Sequence, residues 1–136
     1  MDLRPATAGD LREIAQIQAA STEASPWAVE AYLTYHCTVA AEGDTILGFL
    51  VTRPTAPAEH EILNLAVRPE ARRKGVGTAL LLQALTEGGD WFLEARESNL
   101  GARRLYESLG FSIAGVRRDY YASPPESGIV MRKGKC

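Results

Sequence analysis

The sequence predicts an α/β fold of the α+β kind, with a mixed, mostly antiparallel sheet of about seven strands and four flanking helices, in the order β-α-α-β-β-β-α-β-α-β-β. Three observations carry this reading. Seven short runs have strand character, and four other stretches repeat their apolar residues at helical spacing. The tight turn Glu42-Gly43-Asp44 joins two of the strand runs directly, which makes them antiparallel neighbours. The helical stretch 78–87 separates two other strand runs, and a helix between strands implies a parallel pair inside the sheet.

The elements follow in order. Leu3-Arg4-Pro5 is a short first strand. Thr7-x-x-Asp10 has the form of a capping box and opens a helix with Leu11, Ile14, Ile17 and Gln18 on one side. Ser25-Pro26 starts a second helix, serine as the cap and proline at the first helical position, with Trp27, Ala31 and Tyr35 at helical spacing. Residues 37–41 and 45–53 are the hairpin strands. The proline-rich, polar stretch 54–58 reads as a linker, and 61–68 as a long strand. The helix at 78–87 is apolar nearly all round, which demands burial, and Gly88-Gly89 stops it. A strand at 91–95, a helix at 99–109 ending on Gly110, and strands at 111–117 and 127–132 complete the chain.

Bulk properties narrow the function classes. A chain of 136 residues fits one domain, 1–136, with a core of its own. Hydrophobic content of 46% with 24% charged residues is that of a globular protein. A net charge of −2 argues against nucleic-acid binding through a broad basic surface. No apolar run reaches membrane-spanning length and no signal-peptide pattern opens the chain, so no membrane partner is expected. Cys37 and Cys136 form no disulfide framework, which fits a reducing cytoplasm. The histidines and cysteines, His36, His60, Cys37 and Cys136, show no metal-site spacing; His60, between Glu59 and Glu61, reads as a solvated or edge residue rather than a ligand.

The most informative stretch runs from Leu65, Ala66 and Val67 into Arg72, Arg73, Lys74, Gly75, Val76, Gly77 and Thr78. A glycine-bearing turn at a helix start leaves backbone N–H groups without intrahelical partners, and the helix dipole adds positive charge there. Such a site suits a phosphate or pyrophosphate, held on the N–H groups of residues 73–78. Gly75 and Gly77 let the backbone approach an anion, and the three cations strengthen the field. Lys74 precedes Gly75, so this is not a Walker A loop; Leu80 stands where a dinucleotide fingerprint needs its third glycine.

A second stretch carries reactive groups. Glu94 follows Phe92 and Leu93 in a buried strand pattern, where a carboxylate is paired or functional; Arg96 and Arg104 are the partners a salt bridge would use. In the next helix Ala102, Leu105, Tyr106 and Leu109 share one face, which turns the Tyr106 ring toward the protein. A core tyrosine and a catalytic one both fit that placement.

The Arg-x-x-Gly-x-Gly turn resembles the acyl-CoA pyrophosphate loop of the GNAT N-acetyltransferases, and the element order matches their fold. Ser25-Pro26-Trp27, Leu-Glu-x-Arg-x-Ser-Asn at 93–99, Leu-Tyr-Glu-Ser-Leu-Gly-Phe at 105–111 and Gly-x-Arg-Arg-x-Tyr-Tyr at 115–121 resemble the RimI-type ribosomal-protein-alanine N-acetyltransferases. The resemblance spans about residues 1–132. It implies acetyl-CoA as co-substrate and the N-terminal peptide of an acceptor, a ribosomal protein, as partner. It also implies Glu94 as general base, Tyr106 as general acid and Asn99 on the pantetheine arm. Tyr120 and Tyr121 would lie in a loop against the acceptor, with Trp27 also on the substrate side. The stretch between the Gly77 helix and Glu94 is shorter than usual in that family, which bears on the adenosine end. The acidic pair before the last strand is reduced to Glu126-Ser127, which bears on the acceptor side. A backbone N–H near Leu65 or Ala66 would polarise the thioester carbonyl. Acetylation of lysine or a small amine, and a non-catalytic acyl-CoA-binding module, are the competing readings.

Overall fold

The structure, a computed structural model, describes residues 1–21, 28–122 and 125–134. The expected helix start at Ser25-Pro26, Trp27 and Cys136 lie outside the described residues. The strands are β1 (Asp2–Pro5), β2 (His36–Glu42), β3 (Thr45–Ala56), β4 (Glu59–Val67), β5 (Asp90–Arg96), β6 (Ser112–Ala122) and β7 (Pro125–Lys133). The α-helices are α1 (Leu11–Ala19), α2 (Val76–Leu85) and α3 (Leu100–Ser108). Strand order in the sheet is β1-β2-β3-β4-β5-β7-β6. Only β4 and β5 pair in parallel among the pairings described, in register from Glu59↔Asp90 to Ile62↔Leu93; β1–β2, β2–β3, β5–β7 and β6–β7 are antiparallel. The chain divides into two compact units, one of residues 1–53 and 63–87, the other of 54–62 and 88–136.

In the first unit, Ile14 and Ile17 of α1 pack with Val39, Phe49 and Val51 of the sheet, all essentially inaccessible to solvent. The entry to α1 is pinned by Asp10. Its carboxylate accepts from the Thr7 backbone N–H at 2.8 Å and pairs with both guanidinium nitrogens of Arg4 at 2.8 and 2.9 Å. Those bonds, the Arg4 contact foremost, hold the Asp10 carboxyl down to about 2. The second helix is not α-helical over its described part: Val29–Thr34 is a 3-10 helix. Its tighter winding buries Tyr32, where α-helical spacing pointed to Ala31 and Tyr35. The Tyr32 hydroxyl donates to Gln18 and accepts from Asn64 Nδ2 at 3.0 Å, which ties β4 to α1. Helix α2 buries Val76, Gly77, Leu80 and Leu81 but leaves Leu82 half exposed, so it is one-sided rather than buried all round.

In the second unit, the expected linker 54–58 is a hairpin: β3 continues to Ala56, and Thr55 donates its hydroxyl to Glu59 at 2.8 Å. The turn is tight, because Ala58 is left-handed and its carbonyl accepts from Asp90 N–H at 2.8 Å. His60 is half-buried rather than solvated; its ring stacks on Trp91 at 4.4 Å. Strand β5 alternates, with Trp91, Leu93 and Ala95 buried on one face and Phe92, Glu94 and Arg96 on the other. Ile129 and Met131 of β7, in register with Ala95 and Leu93, extend the buried face. The strand expected to end at 117 runs on, so Tyr120 and Tyr121 belong to strand β6 and not to a loop, with a register shift between Arg117 and Tyr121.

Candidate active site

The first unit carries the turn whose sequence suits an anion. Leu65, Ala66 and Val67 end β4, with Ala66 buried and its neighbours half-buried. Pro69 then opens a 3-10 turn, Pro69–Ala71. Arg73 and Gly75 both adopt left-handed backbone, and Gly75 is the N-cap of α2. No atom stands where a Gly75 Cβ would lie, so the positive φ, not crowding, calls for glycine there. Gly75 has no side chain to cap the helix, and the first turn holds no acidic residue. The N–H groups of Val76, Gly77 and Thr78 therefore form a donor set that fits an external phosphate or pyrophosphate. Arg73 and Lys74 are exposed beside it. Arg72 keeps its charge and is also a strap across the turn: Nε donates to the Val67 carbonyl at 3.1 Å and Nη2 to Ser21 at 3.0 Å.

Gly48 of β3 is a support that sequence reasoning missed. A Cβ there would lie 2.9 Å from the Ala66 carbonyl oxygen and 3.1 Å from a Val76 methyl, so only glycine lets β3 press against the strand end and the helix start. No local pattern marks it, because its partners come from two later elements.

The second unit carries the reactive side chains. Glu94 is only 18% exposed at its side chain, and its partner is Arg117 of β6, at 3.0 Å, not Arg96 or Arg104. Burial pushes the Glu94 carboxyl above its ordinary range; Arg117 opposes this and Glu61 adds to it. A carboxylate so placed is partly desolvated and holds a proton more readily than an exposed one, which suits a proton acceptor. Arg96 instead pairs with Glu126 at 3.2 Å and lies 4.3 Å from the centre of the Tyr121 ring. Glu126 also accepts from Ser98 N–H at 3.0 Å, so the reduced acidic pair is spent on the β5–α3 connection. Tyr120 and Tyr121 stand edge to face at 5.2 Å, and Arg117 lies 5.1 Å from the Tyr120 ring centre. Glu94, Arg117, Tyr120, Tyr121 and Arg96 thus form one chain of contacts, with half of Tyr120 exposed.

Tyr106 is 5% exposed on α3 and meets Phe111 edge-on at 5.5 Å. Burial drives its phenol well above the ordinary tyrosine range, so it keeps its proton. Asn99 is the N-cap of α3, its Oδ1 accepting from Ala102 N–H at 3.2 Å. That cap orients the side chain; the amide nitrogen is the end that remains for a ligand contact. Cys37 is a poor nucleophile, since burial pushes its thiol up to about 12. No metal-holding cluster occurs among the described residues, and no helix among them is long and apolar enough to cross a membrane.

The chain and its fold are similar to known proteins. The acetyltransferase (GNAT) family model matches residues 9–111. The chain is 32% identical to the N-alpha-acetyltransferase RimI of Mycobacterium tuberculosis, over 97% of this chain and 94% of that protein. An uncharacterized Mycobacterium leprae protein is 34% identical over 93% of this chain, which spans 39% of that longer protein. The crystal structure of the ribosomal-protein-S18-alanine N-acetyltransferase from Escherichia coli resembles this one with a TM-score of 0.84 at 29% identity, covering 98% of this chain and 93% of that one.

Proposed function

The chain belongs to the acetyltransferase (GNAT) family, and on that premise we propose that it moves the acetyl group of acetyl-CoA to the N-terminal amine of a protein. Alanine or another small residue stands first in the acceptor, and a ribosomal protein is its source. The observation that carries the reading is Glu94: a carboxylate joined to Arg117 at 3.0 Å, raised above its ordinary range by burial, and near Tyr121, which stands edge to face with the half-exposed Tyr120.

Acetyl-CoA supplies an activated acyl carbonyl and a thiol leaving group. The N–H groups of residues 73–78 hold its pyrophosphate, and a backbone N–H near Leu65 or Ala66 polarises the carbonyl. Glu94 takes the proton from the attacking amine, directly or through a water, and Tyr106 gives its proton to the departing sulfur. Asn99 lies on the pantetheine arm, and Tyr120 and Tyr121 supply aromatic contact area for the acceptor peptide.

The acceptor preference follows from proton chemistry. An α-amine titrates near 8, so about a tenth is neutral at pH 7, a cost of about 1.4 kcal/mol. A lysine amine costs roughly 4–5 kcal/mol at the same pH. One carboxylate, acting directly or through a water, is enough for the first. The relatives named above point the same way, and a reducing cytoplasm is the compartment that accommodates a free buried thiol. The test is incubation with acetyl-CoA and a panel of peptides differing at the first residue, with mass spectrometry of the products. Acetyl groups confined to the first nitrogen support the proposal; acetylation confined to lysine side chains or small amines refutes it.

A further inference from the structure

Strand β7 lies between β5 and β6, and Gly128 is in register with Arg96 on one side and Arg117 on the other. A Cβ built on Gly128 would lie 3.2–3.3 Å from Cγ, Cδ and Oε2 of Glu94, so this glycine faces the same side of the sheet as the carboxylate. Its φ is not left-handed, so its backbone does not demand glycine. The absent side chain instead leaves a path over the central strand, along which Arg117 reaches Glu94. Tyr120, on the same strand as Arg117, backs the guanidinium.

We propose that Arg117 is a positioning residue for the acetyl transfer: reaching across β7 over Gly128, it fixes the Glu94 carboxylate in one orientation and stabilises its negative charge. The inference rests on the reading of Glu94 as the base. The groups facing Glu94 support it. Glu61 from β4 repels the carboxylate, Tyr121 of β6 is a neutral phenol raised by burial, and Gly128 brings no charge from β7. Arg117 is the cation that offsets burial and Glu61. Its side chain is 60% exposed, so replacing it removes little packing.

The experiment is a pH profile of kcat and of kcat/KM for the parent, Arg117→Gln, Arg117→Lys, Glu94→Gln and the Glu94→Gln/Arg117→Gln double variant, with acetyl-CoA and one N-terminal peptide. In Arg117→Gln the low-pH limb should move up by on the order of one pH unit, lowering kcat roughly tenfold below the limb. The rate should recover at higher pH, and acetyl-CoA affinity should hold. Arg117→Lys, which keeps the charge, should restore most of the profile. In the Glu94→Gln background Arg117→Gln should cost nothing further, because its effect passes through the carboxylate. A limb that does not move in Arg117→Gln, or losses that multiply in the double variant, would overturn the role of Arg117 while leaving Glu94 as base. Full activity in Glu94→Gln would overturn both.

Discussion

Two carboxylate–arginine pairs invite comparison. Asp10 meets Arg4 at 2.8 Å in the first unit, and Glu94 meets Arg117 at 3.0 Å in the second. Both carboxylates are largely buried, yet their proton affinities move in opposite directions. Asp10 accepts from Arg4 and from the Thr7 backbone and hydroxyl, and these bonds outweigh its desolvation. Glu94 has one arginine against burial and a nearby glutamate, and desolvation wins. The number of donors per carboxylate, not the presence of a salt bridge, separates a group that supports the fold from one held ready for a proton. Asp10 closes the capping box of the 3-10 turn that leads into α1, whereas Glu94 accepts a cost in charge stability at the place where the chemistry is proposed.

Substitutions sharpen the contrast, and the largest effect is expected next to the chemistry. Tyr106→Phe removes one hydroxyl and keeps the ring against Phe111. Steady-state rates should fall by roughly 10²–10⁴ with acetyl-CoA affinity nearly kept; an unchanged rate would leave Tyr106 a core residue only. Glu94→Gln should lower the rate near pH 7 by about 10² or more, with partial recovery at higher pH as free amine accumulates. Its melting temperature should hold or rise, because an ionised group disfavoured by burial is gone. A clear loss of thermal stability would place Glu94 with Asp10 as a structural pair.

The anion site gives the next effect. Gly77→Val fills the approach to the backbone N–H groups and should weaken CoA binding by about 10² or more, whereas Arg73→Ala should cost only a few-fold. Calorimetric titration of the folded variants checks this, and the reverse order would mean that side-chain charge, not backbone, holds the ligand.

The smallest effect belongs to the first pair. Asp10→Asn should cost about 1 kcal/mol, because Arg4 is 41% exposed at its side chain and solvent screens the pair, and it should leave the rate unchanged. The sign with pH is fixed. The folded-state value is depressed from 3.8 to about 2, so the stabilisation is present above about pH 4 and is lost as pH falls toward 2. Thermal melts of parent and variant should therefore converge in acid; a gap that persists there would assign the cost to packing.

The same contrast explains what the sequence could show. The turn proposed to hold the pyrophosphate was legible because its donors are consecutive backbone groups at a helix start, and Glu94 because a carboxylate interrupts an apolar strand. The inward face of α3 followed from periodicity. Arg117 as the partner of Glu94 was not legible, since the pairing depends on β7 inserting between β5 and β6 and on the gap at Gly128. Nor was Gly48, whose role is set by Ala66 and Val76. The 3-10 winding of Val29–Thr34 follows no local signal either; it accompanies a three-way bond among Tyr32, Gln18 and Asn64 that joins three distant segments. Backbone-made features read from sequence; side-chain partnerships across strands need register and strand order.

The most direct test of the central claim is a competition near pH 7 between two peptides offered with acetyl-CoA: one with a free N-terminal alanine and no lysine, the other blocked at its N-terminus and bearing lysine. Product masses report which nitrogen was acetylated. If Glu94 serves an α-amine, the alanine peptide is acetylated much faster and its advantage shrinks as the pH is raised. Equal rates for the blocked lysine peptide near pH 7 would contradict the α-amine assignment, and no transfer to either peptide would contradict the proposed acceptor class.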